Sequence, residues 1–248
     1  MKLMKVQRIL LRMFKGYKVL CVVPARKNSK GLKNKNIQKI NNKEIIYYPI
    51  KAGLKSRYID EVIFSSDSKQ YIKIAKKYGA SIYFQRPKKI SKDSSSSFEV
   101  INHAINFLKS KNLYFDIVVL LEPTSPLTNH KDIDQAIKMM VEKKYLSLVS
   151  VMDTSKYNIN FQFKELNNIL KPFIERGVSK RRQQIKKTYC LDGSLYISYI
   201  KEYLKNKNFI SKKTMGFKIK SIWKNFEIDN KDDLNLIRLI TRLKYVQI

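Results

Sequence analysis

Val19-Leu20-Cys21-Val22-Val23-Pro24-Ala25-Arg26-Lys27-Asn28-Ser29-Lys30-Gly31-Leu32-Lys33-Asn34-Lys35-Asn36 is the stretch that decides the fold. Its first five residues form a short apolar run, which is typical of a strand buried on both faces of a sheet. The loop that follows such a strand is where open α/β sheets bind their ligands. Gly31 is expected to adopt a conformation closed to residues with a Cβ, and Arg26, Lys30 and Lys35 supply positive charge. The stretch predicts an anion cradle with phosphate as its guest, and for any single lysine a solvated basic loop is the alternative.

The rest of the chain repeats this order of strand, loop and helix. Apolar runs predict strands at 62–67, 81–84, 116–121 and 147–152, and helical spacing of apolar residues predicts helices at 41–53, 71–79, 98–108 and 132–144. Such alternation is typical of an α/β fold with a doubly wound, mostly parallel sheet. Further strands are predicted at 158–163, 169–173, 195–199 and 218–223, and a final helix at 232–245.

Composition bounds the class of protein. The chain has 248 residues, of which 44% are hydrophobic, so it can bury the core of one large domain. Residues 1–16 are predicted to be a basic N-terminal extension, either a short amphipathic helix or a frayed segment. A secretory signal is not expected, because Arg12 interrupts what would otherwise be its apolar centre. Cys21 and Cys190 fit neither a metal site nor a disulfide framework, so we expect a reduced, cytoplasmic protein. No transmembrane segment is expected, because no apolar run approaches the length needed to span a bilayer.

The formal net charge of +31 first suggests a nucleic-acid partner. Against this, the lysines are spread from end to end and no nucleic-acid-binding module is legible in the sequence. We interpret much of the excess as a lysine-rich composition, with a remainder that suits anionic small-molecule substrates. No specific nucleic-acid partner is expected.

The opening stretch resembles the signature of the CMP-sugar synthetases, the cytidylyltransferases that activate sialic acid and related acidic sugars. Ala25-Arg26, Ser29-Lys30-Gly31-Leu32 and Lys35-Asn36 match it without a gap, and the resemblance extends over roughly 18–237. It implies a Rossmann-like nucleotidyltransferase that converts CTP and an acidic nine-carbon sugar into a CMP-sugar and pyrophosphate for cell-surface glycans. N-acetylneuraminate is the expected sugar, with legionaminate and pseudaminate as alternatives.

The resemblance also assigns a nucleotide site. Arg26 and Lys35 are expected to act on the phosphates, while Arg86 and Ser97 are expected to lie against cytosine and ribose. The default role for serines that precede a helix is capping, and one of Ser94 to Ser97 is expected to do only that. The full set of predicted nucleotide-binding residues is Ala25, Arg26, Asn28, Ser29, Lys30, Gly31, Lys35, Asn36, Arg86 and Ser97.

A second motif, at 122–127, is expected to bind the sugar. Two prolines fix an extended loop at the end of a predicted strand. The family usually has glutamine where this chain has Glu122, so the carboxyl must be protonated, paired with a cation, or reading an amine or hydroxyl. The predicted sugar-binding residues are Glu122, Thr124, Ser125, Arg182, Gln183 and Asp192, with Arg182 on the sugar's carboxylate.

Two carboxylates are predicted to hold Mg²⁺ or Mn²⁺. Glu227 and Asp229 are two apart on an extended segment and so point to one face of it, and hard cations prefer oxygen ligands. The resemblance makes Asp229 a catalytic metal ligand, and Glu227 replaces the aspartate that is usual in the family. Asp232 and Asp233 are interpreted as helix caps, and Asp67 is either an assisting ligand or a structural carboxylate.

The resemblance divides the chain into a core of 17–152 and 189–248 and an insertion at 153–188, which is expected to form a homodimer and to reach the partner's site. His103 and His130 have no nucleophilic partners that the sequence can identify. A different class of function stays open as an alternative: a homologue that has lost catalysis and binds nucleic acid or an anionic membrane through its charge.

Overall fold

The computed structural model describes residues 14–27, 29, 31–175, 185–243 and 245. Four predicted site residues lie outside the described residues, namely Asn28, Lys30, Arg182 and Gln183. So do residues 1–13 of the predicted extension. None of the described helices is long and apolar enough to cross a bilayer.

Six strands form the central sheet in the order β10-β6-β9-β5-β1-β4. All of them run parallel except β9, which is antiparallel to both of its neighbours. The first strand neighbours β4 on one side and β5 on the other, so the chain reverses its winding direction between β1 and β5. The strands of this sheet are β1 (Val19–Pro24), β4 (Glu61–Ser65), β5 (Ile117–Leu120), β6 (Ser147–Asp153), β9 (Tyr189–Tyr199) and β10 (Thr214–Phe217), and two small hairpins are formed by β2 (Lys39–Ile40) with β3 (Lys43–Glu44) and by β7 (Phe163–Leu166) with β8 (Ile169–Pro172).

Helices cover both faces of the sheet. The described helices are α1 (Tyr47–Lys55), α2 (Lys69–Lys77), α3 (Ser97–Ser110), α4 (His130–Glu142), α5 (Ile200–Asn206) and α6 (Lys231–Arg242). Side chains of α1, α2 and α4 pack in one apolar core, and side chains of α3 and α5 pack in the core on the opposite face. Successive residues of β1 alternate between these cores, with Cys21 in the first and Val22 in the second. The predicted doubly wound, mostly parallel α/β fold is confirmed.

A third apolar cluster lies beneath the ligand edge of the sheet. It joins α6 to the loop after β5 through Leu127, Ile228 and Ile237, all of which are buried. The backbone N–H of Ile228 donates to the carbonyl of Thr124 at 2.8 Å. This cluster therefore fixes the segment that carries Glu227 and Asp229 against the proline-containing loop.

Several predicted elements are wrong in extent or kind. Residues 81–84 make one parallel bridge to β4, at Ser81, and no longer strand. The predicted helix at 41–53 begins only at Tyr47, because the residues before it turn through the β2–β3 hairpin. The predicted strands at 158–163 and 218–223 contain 3₁₀ turns at Ile159–Phe161 and Ile222–Asn225. A short apolar run is compatible with a strand, a helix or a turn, and periodicity alone does not distinguish them.

The strand β9 departs furthest from its prediction. It begins at Tyr189 rather than at 195, and Asp192-Gly193, which precede the predicted strand, belong to a bulge inside the observed one. Val149 pairs with Tyr196 while Val151 pairs with Leu191, so four residues of β9 face the single residue Ser150. Because Gly193 has φ of +69°, it accommodates the bulge in a left-handed conformation that favours glycine.

Candidate active site

A cavity of about 460 Å³ opens at the carboxyl ends of β1 and β5, where the winding direction reverses. This is the edge at which open α/β sheets bind ligands. Eleven of the predicted site residues line the cavity: Ala25, Arg26, Ser29, Gly31, Lys35, Asn36, Arg86, Ser97, Glu122, Thr124 and Asp229. Ser125, Asp192 and Glu227 do not line it.

The loop after β1 is held from three directions. The backbone N–H of Ala25 donates to Ser65, and the buried side chain of Asn36 donates to the carbonyl of Arg26 at 3.1 Å. A short 3₁₀ turn, Lys35–Ile37, then directs the Lys35 side chain to Asp229, with Nζ 3.1 Å from Oδ1. The Arg26 guanidinium forms an ion pair with Asp93, a residue that the sequence did not single out.

The reason expected for Gly31 is wrong. Its φ lies outside the left-handed region, so its conformation is open to other residues. What it permits is a close approach, because a Cβ at this position would stand 2.3 Å from the carbonyl oxygen of Asp229. The loop after β1 therefore rests directly on the carboxylate segment.

Arg86 is almost fully enclosed, with 4% of its surface exposed. Its Nε donates to Ser91 at 3.0 Å, while the buried Nη2 has no hydrogen-bond partner among the described residues. Burial lowers the pKa of the guanidinium, and the charges of Asp67 and Glu122 oppose that shift. A buried donor without a partner is costly, so Arg86 is available to a ligand in the cavity.

The serines before α3 divide their roles. Ser96 is the N-cap and forms a capping box with Glu99. Ser97 lines the cavity. Asp67 accepts a hydrogen bond from the backbone N–H of Lys27 at 3.0 Å and lies outside the cavity, which favours the structural reading of this carboxylate.

Carboxyl groups from three elements converge beside the cationic loop. The pKa of Glu122 is raised to about 7 by burial and by the charge of Glu227, although Arg86 and Lys35 act in the opposite direction. The pKa of Glu227 is also raised to about 7, by burial and then by Asp229 and Asp192. These carboxyl groups are therefore short of compensating positive charge.

Asp192 is fixed within this group of carboxyls. One of its oxygens accepts hydrogen bonds from the Ser150 hydroxyl and from the backbone N–H of Ser194. The other, Oδ2, is buried and has no partner within the described part of the chain. The predicted capping role of Asp233 is confirmed, since its carboxylate accepts from the backbone N–H of Asn230, the N-cap of α6.

A second cavity, of about 290 Å³, adjoins the first and shares Ser97, Leu120 and Glu122 with it. Its other walls include the aromatic rings of Phe98, Tyr196, Tyr203 and Phe209. None of these rings is among the predicted site residues. Alternation along the predicted strand 195–199 could have indicated Tyr196, but only the fold brings Phe209 beside it.

The chain is similar to known proteins over nearly its whole length. A model of the cytidylyltransferase family matches residues 20–247. The pseudaminic acid cytidylyltransferase of Campylobacter jejuni is 33% identical over 92% of this chain and 98% of its own length. The CMP-N,N'-diacetyllegionaminic acid synthase of Legionella pneumophila is 31% identical over 91% and 97%.

The N-acylneuraminate cytidylyltransferase of Escherichia coli is 31% identical over 92% of this chain, which spans about half (53%) of that protein's length. Among solved structures, a CMP:2-keto-3-deoxy-manno-octonic acid synthetase complexed with CTP superposes with a TM-score of 0.66 at 14% identity, over 92% of this chain and 99% of that one. At 14% identity, the likeness to this solved structure concerns the fold alone.

Proposed function

The chain belongs to the cytidylyltransferase family and is a nucleotidyltransferase, and from that premise we propose that it transfers the CMP group of CTP to an acidic nine-carbon sugar. The anomeric hydroxyl oxygen of the sugar attacks the α-phosphorus, and the bond from that phosphorus to the bridging oxygen of the β-phosphate breaks. Pyrophosphate leaves, and the hydroxyl proton is released to solvent. The protein's part in such a reaction is to align the two substrates and to stabilise the phosphate charge.

The pair of adjoining cavities is the observation that carries the proposal. The larger cavity has the cationic loop as one wall, which suits a triphosphate. The smaller one has aromatic walls and a polar rim, which suits the ring and apolar substituents of a modified sugar. Ser97, Leu120 and Glu122 border both, so a nucleotide in one and a sugar in the other would meet at this boundary.

We assign the nucleotide to the residues that the resemblance names and that line the larger cavity. Arg26, Ser29 and Lys35 stabilise the phosphates, and Gly31 allows the loop to lie close to the backbone of Asp229. Arg86 and Ser97 lie on the far wall and face the nucleoside. The unpartnered Nη2 of Arg86 supports this assignment, because a ligand acceptor would satisfy it.

The carboxyl groups beside the loop fit a divalent cation. Burial and the charge of Asp229 raise the pKa of Glu227, and the buried Oδ2 of Asp192 has no partner within the described residues. The described residues include no cluster of three or more typical ligands that could hold a metal on its own. Magnesium is commonly held by one or two carboxylates together with substrate phosphates, so two carboxylates suffice here.

Asp229 and Glu227 would hold Mg²⁺ or Mn²⁺, with Asp229 nearer the phosphates because it lines the cavity. The ion, when bound, would supply a Lewis acid for the α-phosphate and the leaving pyrophosphate. Lys35, which contacts Asp229 in this structure, would turn toward the triphosphate as the substrate binds.

The sugar is proposed to be N-acetylneuraminate, with pseudaminate and legionaminate as the alternatives. Relatives named for pseudaminic and legionaminic acids are as similar to this chain as the one named for N-acylneuraminate. Glu122 at the boundary of the two cavities favours a sugar that presents an amide N–H or a hydroxyl there.

A homodimer is proposed from the surface of the β7–β8 hairpin. Leu166, Ile169 and Leu170 are between 55% and 64% exposed, whereas the apolar side chains of the central strand β5, and those at 19–23 in β1, are buried. An exposed apolar group of this kind marks an interaction surface. Sedimentation velocity is expected to give the mass of a dimer, and Leu170→Glu should give a monomer. A native protein that sediments as a monomer would contradict the proposal.

The activity is tested by CTP-dependent pyrophosphate release with a panel of nine-carbon acidic sugars, Mg²⁺ and the full chain. We expect turnover with at least one of them and none without sugar. The net charge of +31 motivates the alternative, a homologue without catalysis that binds an anionic polymer or membrane. No turnover with any sugar, together with tight and salt-sensitive binding of DNA or anionic vesicles, would favour that alternative.

A further inference from the structure

Gly193 lies directly against the carboxyl group of Glu227. A Cβ built on Gly193 would stand 1.4 Å from Oε1 and 2.5 Å from Cδ of that side chain. Carbon atoms in contact are normally about 3.5–4.0 Å apart, so the carboxyl group occupies the volume that a side chain at position 193 would need. The carboxyl group of Glu227 can occupy its position beside the β9 backbone only because residue 193 has no side chain.

The backbone at Gly193 has little room to withdraw. Asp192, Ser194 and Ser150 around it are all at most 3% exposed. The Ser150 hydroxyl donates to Asp192 and accepts from the backbone N–H of Leu195 at 2.9 Å, which fixes the bulge on both sides of the glycine. Of the two groups in contact, Glu227 has the flexible side chain, so it is the one that would move.

The carboxylate segment is also fixed from its other side. Gly31 allows the loop after β1 to rest on the carbonyl oxygen of Asp229, and the N–H of Ile228 donates to Thr124. The backbone of 227–229 therefore stays in place when residue 193 changes. Only the carboxyl end of Glu227 can respond.

We propose that Gly193 is a positioning residue, and that the volume left by its missing side chain sets the place of the Glu227 carboxylate relative to Asp229. The inference rests on the proposed function in that these two carboxylates are taken to hold the divalent cation. It explains how this chain accommodates a glutamate at 227. An aspartate there would be one methylene shorter and would leave the volume beside Gly193 empty.

The test measures Mn²⁺ binding to the full-length protein without CTP or sugar, by electron paramagnetic resonance of free Mn²⁺. Gly193→Ala is expected to weaken the affinity by about tenfold, as displaced or unsupported ligands do in metal sites. The double variant Gly193→Ala/Glu227→Asp is expected to recover most of that loss, because the shorter carboxylate makes room for the new Cβ. The same measurement on Glu227→Asp alone completes a double-mutant cycle with the native protein, Gly193→Ala and the double variant.

Gly16→Ala is the matched control. Gly16 has φ of +82°, also left-handed, but a Cβ there would meet nothing within 4 Å. Both single glycine variants should lower Tm by a few degrees, about 2–4 °C, through backbone strain alone. Only Gly193→Ala should change Mn²⁺ affinity.

Native Mn²⁺ affinity in Gly193→Ala would overturn the inference, and so would a double variant no better than Gly193→Ala. A native protein that binds no Mn²⁺ would overturn it as well. The proposed function fails separately: a chain that turns over no sugar but shows the expected Mn²⁺ cycle would keep the positioning role and lose the reaction.

Discussion

The two walls of the larger cavity differ in how their charges are balanced. On the cationic wall, Arg26 forms an ion pair with Asp93 and Lys35 forms one with Asp229. The acidic wall consists of Glu122, which lines the cavity, together with Glu227 and Asp192, which do not line it. The pKa values of Glu122 and Glu227 are both raised to about 7, and an oxygen of Asp192 is buried with no partner in the described chain. The cations of the first wall are paired with carboxylates of the protein, whereas the carboxyl groups of the second lack compensating positive charge.

This difference indicates what each wall requires of its ligands. The cationic wall can exchange internal carboxylates for phosphates, which carry more charge, so it loses little when substrate binds. The acidic wall gains most from a cation that comes with the substrate. The Lys35–Asp229 contact joins the two walls, with Lys35 13% and Asp229 73% exposed in their side chains.

Replacing the joining lysine should have the largest effect. Lys35→Ala is expected to reduce kcat by about a hundredfold to a thousandfold, as loss of a preorganised charge at a reacting group does. Melting temperature should change little, because the partner Asp229 is largely exposed. Steady-state kinetics and thermal unfolding check both statements.

Lys33→Ala is the control for that variant, since Lys33 is an exposed lysine two residues away and does not line the cavity. It should keep native kcat. If Lys35→Ala also turns over at the native rate, the loop after β1 is not the phosphate cradle.

Removing one charge from the acidic wall should have an intermediate effect that depends on pH. The pKa of Glu122 is raised from its usual 4.5 to about 7, so the folded chain holds a proton that the unfolded chain has lost. The stability this contributes is complete below 4.5 and is lost as pH rises through about 7. Glu122→Gln cannot ionise and should be more stable than the native chain by about 1–2 kcal/mol at about pH 8, with little difference at about pH 4.

Urea unfolding at the two pH values measures this difference. Glu165→Gln, at an exposed position on β7, should change the free energy of unfolding by less than about 0.5 kcal/mol at both pH values. A Glu122→Gln variant that is less stable than native at the higher pH would show that the carboxylate is compensated by Arg86 and Lys35, and the contrast between the walls would disappear.

Releasing a partner on the cationic wall should have the smallest effect. Asp93→Asn removes the ion pair with Arg26, in which the Arg26 side chain is 32% exposed and the Asp93 side chain 40% exposed. Because ion pairs this exposed contribute little, the free energy of unfolding should change by less than about 0.5 kcal/mol. Because Arg26 would no longer be shared with Asp93, KM for CTP should fall by about twofold at low salt and return toward native as salt is added. An unchanged KM at low salt would mean that Asp93 does not compete with the nucleotide.

Much of the fold could be predicted because its strands are short apolar runs buried on both faces. That pattern located β1, β4, β5 and β6, but it carries no information on direction, so the antiparallel β9 was not foreseen. Capping signals were equally local, and Asp233 follows from them directly. The misplaced strand at 218–223 shows the limit, because an apolar run reads the same on a 3₁₀ turn.

The candidate site could be predicted where one loop supplies several residues, as with Arg26, Gly31 and Lys35. Contacts between distant segments could not. Nothing in the sequence pairs Arg26 with Asp93, or places Gly193 against Glu227, because these contacts depend on how distant segments of the chain meet in the fold. The roles of the site residues, and the division of the chain at 153–188, stay predictions.

The way the chain leaves and re-enters the sheet has a consequence for how such proteins diversify. Asp153 at the end of β6 pairs with Tyr189 at the start of β9, and the N–H of Thr154 donates to Thr188 at 2.9 Å. These contacts hold the two ends of the segment 154–188 together. Lengthening a loop whose ends are already held together costs little further conformational entropy. A segment of different length or sequence between these two strands would leave their pairing intact, so the chain can vary this insertion, and with it the sugar or partner that it is predicted to contact, without rebuilding the sheet.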